Sequence, residues 1–299
     1  MFDFKELEAF VWIVRLGSFR QAARHLHLTQ PSISDRIARL EDTLGEQILE
    51  RNQRPIKPTL RGREFFRHAE KMLQARQKAL LPFQPESSFS GTFHLGVVET
   101  IVHSWLPAFL TDLSGRYPAM TLELEVDTTT RLLQRLQSHE LDLAFVTGPV
   151  ELEDSLHQRL CSYPVSFITR PSLLESVGSS KELLERYPLL TYPRDSRPFL
   201  ELQGLLYGAG LSHIKVHNSG SLWTIVRLAM AGFGIGVIPP VICAPELARG
   251  ELSLVDMPIS PPNLNFYSLW SPGHDSYIAE AISAHAVSFD KEKAVDFYR

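Results

Sequence analysis

The sequence predicts an α/β chain that carries an α-helical head at its N-terminus. Three observations support this. Apolar residues recur at helical spacing through the first eighty positions. From Thr92 onward, short apolar strands alternate with helical stretches, as in sheets covered by helices. Charge divides at the same place: residues 1–80 hold 15 Lys/Arg and 10 Asp/Glu, the remainder 15 and 24. The net charge of −4 would argue against nucleic acid, but a basic head on an acidic body suits nucleic-acid contact through one end. At 299 residues and 44% apolar content, two or three domains with proper cores are affordable.

In the head, Asp3 followed by Glu6 has the form of a capping box, and Leu7, Phe10, Val11 and Val14 form one stripe. A first helix therefore runs to about Leu16, before Gly17. A second, short helix covers 19–26 and breaks at His27-Leu28. Thr29 then stands in N-cap position, and Pro31, with φ preset, suits the first turn of a third helix. Ile33, Ile37, Leu40 and Leu44 mark its buried face, and Gln30, Ser32, Ser34, Asp35, Arg36 and Arg39 offer hydrogen bonds on the other. Two helices in this relation suit a helix-turn-helix whose second helix enters the DNA major groove. An ordinary amphipathic surface helix would show the same spacing. Residues 47–49 are strand-like, and 51–58 form a Pro-punctuated basic hairpin, a candidate wing.

Beyond spacing, there is a resemblance. The run Gly17-Ser18-Phe19-Arg20-Gln21-Ala22-Ala23, Leu28-Thr29-Gln30-Pro31-Ser32-Ile33-Ser34, Ile37-Ala38-Arg39-Leu40-Glu41, Leu44-Gly45, Glu50-Arg51 and Pro58-Thr59-Leu60-Arg61-Gly62 closely resembles the N-terminal domain of LysR-type transcriptional regulators. The resemblance implies a winged helix-turn-helix domain at 1–58 and a linker helix with hinge at 59–90. It also implies a two-lobed, periplasmic-binding-protein-like effector domain at 91–299, with lobe I at 91–161 and 268–299 and lobe II at 162–267. The implied DNA-contact residues are Thr29, Gln30, Pro31, Ser32, Ser34, Asp35, Arg36 and Arg39, with Arg51 and Arg54 of the wing on phosphates. Asp35 departs from the family, which usually has a basic or amide side chain there. A carboxylate is repelled by phosphate but accepts from a cytosine amino group, so the base preference does not carry over.

Thr59 caps the linker helix, expected over 60–80, with Phe65, Phe66, Ala69, Met72, Leu73 and Leu80 at roughly helical intervals. Packing on its own domain would use such a stripe; the resemblance favours pairing with the same helix of a second subunit. Pro82 to Gly91 is the hinge. The body is expected to continue with strands at 93–98, 121–126 and 141–146 and helices at 104–117 and 130–138. A second set follows, with strands at 166–169, 189–192, 214–217 and 235–238 and helices at 181–186, 202–209 and 221–231. A strand at 266–270 and a helix from 276 toward 289 close the chain. This alternation argues for parallel sheets that bind ligand where strands deliver their carboxyl ends.

Those ends bring Glu99-Thr100, Thr128-Thr129 and Thr147-Gly148 together on one lobe, with Thr169, Arg197, Asn218 and Ser219 facing them from the other. Helix starts and hydroxyls converging there suit a carboxylate, although threonine at a helix start is usually only a cap. Thr100 is the preferred contact, because the family's matching position is typically a Ser or Thr that touches effector. Glu99 favours a helix dipole or selects a ligand amine.

Other chemistries lack support. Gly232-Phe233-Gly234-Ile235-Gly236 leaves a helix and enters a strand, the reverse of a phosphate cradle. No HExxH, paired-Cys or GxSxG motif occurs, so no metal, cofactor or catalysis is expected. Cys161 and Cys243 read as core residues of a reducing compartment, and no signal-like or membrane-length apolar run is present, so a cytoplasmic location is expected. The expected partners are double-stranded DNA with paired half-sites, a small-molecule effector of carboxylate or amino-acid-like type, and a homodimer or homotetramer of the chain itself. RNA polymerase is a further candidate, and no membrane is expected. The alternatives are a constitutive DNA-binding regulator without an effector, or a two-lobed solute-binding protein or enzyme. The latter have no use for a basic helix-turn-helix head.

Overall fold

The computed structural model of the chain describes residues 2–51, 55–80, 89–150, 155–271, 276–289 and 291. α1 (Phe4–Leu16) starts on the expected capping box, with the Glu6 amide donating to Asp3 Oδ1 at 2.9 Å and the Asp3 amide to Glu6 Oε2 at 3.0 Å. It ends at Gly17, which has φ +64°. A Cβ there would lie 2.6 Å from Pro55 Cβ, and the Gly17 carbonyl accepts from the Ile56 amide at 2.9 Å. Glycine thus ends the helix and lets the wing approach.

Ser18 caps α2 (Phe19–His25), and Thr29 caps α3 (Gln30–Leu44) by accepting from the Ser32 amide at 3.4 Å. Leu7, Phe10, Ile13, Ala22, Ile33, Ile37 and Leu40 form the core that fixes the three helices. The wing base pairs β1 (Leu49–Glu50) antiparallel with β2 (Lys57–Pro58).

α4 (Leu60–Leu80) begins where Thr59 Oγ1 accepts from the Gly62 amide at 3.0 Å. Its apolar stripe packs in large part on its own head. Ala69 and Leu73 are fully buried in the head core, with Phe65, Phe66 and Met72 half-buried on it. The Phe10 ring meets Phe65 at 5.6 Å and Phe66 at 6.3 Å, and Arg15 bonds Glu70 at 2.7 Å. The stripe therefore covers α1, whose apolar residues exceed what α2 and α3 can hide. Most of the expected hinge falls on residues 81–88, outside the described residues.

The body begins with β3 (Gly91–Val97), α5 (Glu99–Val102), α6 (Leu106–Arg116), β4 (Met120–Val126), α7 (Thr129–Gln137), β5 (Leu143–Gly148) and β6 (Leu156–Tyr163). Lobe II contains β7 (Ser166–Thr169), α8 (Pro171–Glu175), α9 (Ser180–Arg186), β8 (Leu189–Thr191), α10 (Arg197–Gly208) and β9 (Val216–Asn218). It continues through α11 (Leu222–Met230), β10 (Ile235–Ile238), a 3-10 turn at Pro240–Cys243, α12 (Ala244–Ala248) and β11 (Ser253–Val255). The chain then returns to lobe I with β12 (Leu264–Trp270) and α13 (Ser276–Ser288).

The two sheets run β4-β3-β5-β12-β6 and β11-β7-β10-β8-β9. They are mixed rather than parallel. β4, β3 and β5 are parallel, as are β10, β8 and β9, but β12 and β7 join them antiparallel. The crossovers between lobes lie after Tyr163 and before Leu264, because β6 and β12 pair along their lengths in lobe I. Boundaries at 161/162 and 267/268 would cut both strands. The helix expected over 104–117 is α6; a short additional helix, α5, precedes it across a turn that buries Trp105 completely. Among the described residues no helix is long and apolar enough to cross a membrane.

Candidate functional site

On the head, α3 presents Thr29, Gln30, Pro31, Asp35 and Arg39 exposed, with Ser32, Ser34 and Arg36 half-buried beside them. Arg36 Nη1 donates to the Lys5 carbonyl at 3.4 Å, so this side chain is partly turned back on α1. Arg51 has a partner within the head. It bonds Glu41 Oε2 at 2.6 Å and lies 5.9 Å from the Phe19 ring centre. Glu41 is buried and also accepts the amides of Ile48 and Leu49 at 3.0 and 3.4 Å. A buried carboxylate needs such partners, so Arg51 helps to seat the wing strand while its side chain stays half exposed. Arg54 lies outside the described residues, and Lys57 stands exposed on β2. Glu41 was legible only as a carboxylate beside Leu40 on an otherwise apolar face.

In the body, a crevice of about 780 Å³ separates the lobes. Lobe I lines it with Val98 to Thr100, Val126 to Arg131, Thr147, Pro149 and Val150, and lobe II with Tyr192 to Pro198, Leu200, Asn218 to Gly220 and Leu222. Among the described residues, four direct hydrogen bonds cross it, two of them to Glu99. Thr100 Oγ1 meets the Tyr192 hydroxyl at 3.3 Å, Arg197 Nη1 donates to the Pro149 carbonyl at 3.0 Å, and Glu99 Oε2 accepts the Leu222 amide at 2.8 Å. Glu99 Oε1 also accepts from Ser221 Oγ at 3.2 Å and lies 3.2 Å from His103 Nε2. Burial raises the Glu99 pKa, but the His103, Leu222 and Ser221 bonds outweigh it and hold the carboxyl below the ordinary glutamate value. Burial pushes the Tyr192 phenol up, so it stays neutral.

The sequence-expected residues divide accordingly. Glu99, Thr100, Thr128, Thr129, Thr147, Arg197, Asn218 and Ser219 all line the crevice. Thr169 does not: it is fully buried, with its hydroxyl donating to the Gly234 carbonyl at 3.1 Å. Gly148 is a packing position, where a Cβ would fall 2.5 Å from the Tyr267 ring. Thr129 Oγ1 is occupied by the Thr147 amide at 3.1 Å, and Asn218 bonds the Tyr192 carbonyl at 2.8 Å and Arg194 Nε at 3.3 Å. Ser219 Oγ donates to the Ser221 carbonyl at 2.9 Å. Thr128 differs: its Oγ1 is buried and has no hydrogen-bond partner, at the N-terminus of α7. Glu99 stands in the first turn of its own short helix, and its carboxylate also meets the start of α11 across the crevice. Sequence reasoning missed Tyr192, Arg194, Asp127 and Arg131, which lie just past strands or on helix starts with no local pattern to mark them.

No His/Cys/Asp/Glu group among the described residues is arranged to hold a metal. Gly232, just past α11, has φ +75°, as a helix-ending glycine should. Burial pushes the Cys243 thiol up to about 12 and raises that of Cys161, so neither is a ready nucleophile.

A head of this build attached to a two-lobed body matches two family models, the bacterial regulatory helix-turn-helix protein, lysR family, over residues 4–63 and the LysR substrate binding domain over 86–287. The chain is a member of the LysR family. The HTH-type transcriptional regulator YofA of Bacillus velezensis is 29% identical over 253 residues, covering 85% of this chain and 86% of that one. The fold extends to ArgP from Mycobacterium tuberculosis, with a TM-score of 0.64, 21% identity and coverage of 99% and 98% of the two chains. Full-length LysG from Corynebacterium glutamicum, solved with its effector Arg bound, gives 0.62 at 21% identity, with 98% of each chain covered. This LysR-type protein is a DNA-binding transcriptional regulator with an effector-binding domain, not an enzyme.

Proposed function

We propose that this regulator responds to a small carboxylate-bearing, amino-acid-like metabolite held in the interlobe crevice. One observation carries the reading: the unpartnered, buried Thr128 hydroxyl beside the first amides of α7. A buried donor left unmade is costly, and a ligand carboxylate would accept from it and from the helix start together. Arg194, which no carboxylate bonds among the described residues, stands on the opposite wall to add charge. The bound effector Arg of LysG is consistent in class, an amino acid in a related fold. The Thr100 hydroxyl, by contrast, would have to leave Tyr192 to serve a ligand.

The head reads its operator through Gln30, Ser34 and neighbours, with Asp35 modifying base choice. A single head of this size covers one half-site, so a homodimer or homotetramer on paired half-sites is the working form. Exposed Leu60, Leu124 and Tyr207 offer apolar surface for such assembly.

Calorimetric titration of the full-length protein with amino acids and small carboxylates tests the effector reading. A true effector should bind Thr128→Val about ten- to hundredfold more weakly, the value of about 1.5–3 kcal/mol for one hydrogen bond to a charged group. If no such compound binds, or the variant binds it unchanged, the reading fails.

A further inference from the structure

Glu99 presents a carboxylate at a place where a ligand anion would otherwise be expected. α11 spans nine residues and begins at the crevice wall, where its first amides lack helical partners. Its cap, Ser221, accepts from the Thr224 amide at 3.4 Å and at the same time donates to Glu99 Oε1 at 3.2 Å. The Leu222 amide completes the pair on Oε2 at 2.8 Å. From the lobe I side, His103 holds the same carboxylate and stacks on Trp223 of α11, ring centres 6.4 Å apart at 25°. Hydroxyl, amide and helix dipole thus form an anion-binding arrangement on lobe II, and its occupant is a side chain of lobe I. The crevice arginines Arg131, Arg194 and Arg197 make no bond to Glu99, and Arg131 and Arg197 are matched by Asp127 and Glu201.

We infer that Glu99 is a tethered internal ligand, a specificity-determining clasp that fills the anion subsite at the start of α11 and joins the two lobes there. Two consequences follow. The clasp holds this end of the crevice shut, so an effector's carboxylate is directed to the Thr128 end. It also places a fixed negative charge against any second acid group, so compounds with one carboxylate are accepted and dicarboxylates are refused. The specificity consequence rests on the crevice being the effector site; the clasp itself does not.

The test therefore uses no effector. Full-length wild type and Glu99→Ala are titrated with propionate in a thermal-shift assay, with sodium chloride at matched ionic strength as control. Propionate should raise the melting temperature of Glu99→Ala saturably at millimolar concentration and clearly more than that of wild type, in which only the Thr128 end of the crevice is open to it. Adding Ser221→Ala should weaken that response about tenfold. Equal responses from wild type and Glu99→Ala, or no saturable response in the variant, would overturn the clasp. If Glu99→Ala fails to fold, a charge pairing decides. Ser221→Asp sets two carboxylates face to face and should lower the melting temperature, whereas Glu99→Gln in the same chain, now donating to Asp, should restore it. An equal effect of Ser221→Asp in both backgrounds would also overturn the inference. A protein that shows the clasp but binds no metabolite would refute the effector reading alone.

Discussion

The recognition helix and the crevice are both rich in hydroxyls and charge, but they are arranged in opposite ways. On α3 the exposed side chains of Gln30, Asp35 and Arg39 make no bond among the described residues, because the buried face of Ile33, Ile37 and Leu40 holds the helix in place, while Thr29 caps it and Arg36 reaches back to Lys5. In the crevice most polar groups already bond one another, many across the gap between lobes. Free groups on a rigid scaffold suit a partner that arrives with its own pattern of donors and acceptors. Groups already satisfied suit a site whose state changes when a ligand competes for them. The difference teaches that polarity alone does not identify a binding residue; what counts is whether its hydrogen bonds are spoken for.

The sharpest way to break the comparison is to remove the scaffold under α3. Leu73→Asp places an unpaired charge in the head core and should cost about 4 kcal/mol or more, read as early unfolding of the head in urea. If α4 instead used that stripe against a second subunit, the variant would keep its stability and merely sediment as a smaller species. A smaller loss is expected from Glu41→Gln, on the order of 2–3 kcal/mol, because Arg51 loses its charged partner and two amides keep only a weaker acceptor. Operator affinity should fall with it while effector binding stays unchanged, and a loss of effector binding would contradict the assignment. The smallest effect is the most specific. Gln30→Ala should leave stability within about 0.5 kcal/mol and relax base preference by about 1–3 kcal/mol at one position, measured by competition binding on a set of operator variants. A uniform loss across all sequences would move Gln30 from base contact to phosphate contact.

These contrasts also explain what the sequence could tell. The head was legible almost residue by residue because its information is local: a capping box, a Thr29 cap, a glycine stop and a 3.6-residue stripe all act within a few positions. β3, β7 and β10 were legible as short apolar runs. β6 and β11 were not. Both lie at sheet edges, and β6 buries Leu160 among polar neighbours such as His157, Gln158 and Arg159. The antiparallel return of β12 was equally hidden, since pairing across more than a hundred residues leaves no mark on spacing. At the crevice the strand ends pointed correctly to Glu99, Thr100 and Thr128. Which of these hydroxyls and carboxylates was free depended on Tyr192 and Leu222 in the other lobe, and no local pattern reports that. Thr169 misled for the same reason, because the Gly234 carbonyl that satisfies it is remote in sequence.

The junction at Gly17 has a consequence for how operators are measured. The end of α1 and the returning arm of the wing share one backbone hydrogen bond and a contact too tight for any side chain. The stretch between recognition helix and wing is therefore a ruler of fixed length, cut by the protein and not adjusted by the DNA. On the proposed reading of the head, each copy is expected to fit one width of half-site. Differences in operator geometry must then be absorbed by bending of the duplex or by the coupling between heads, so the grammar of spacing belongs to the assembly while the vocabulary of bases belongs to the single chain.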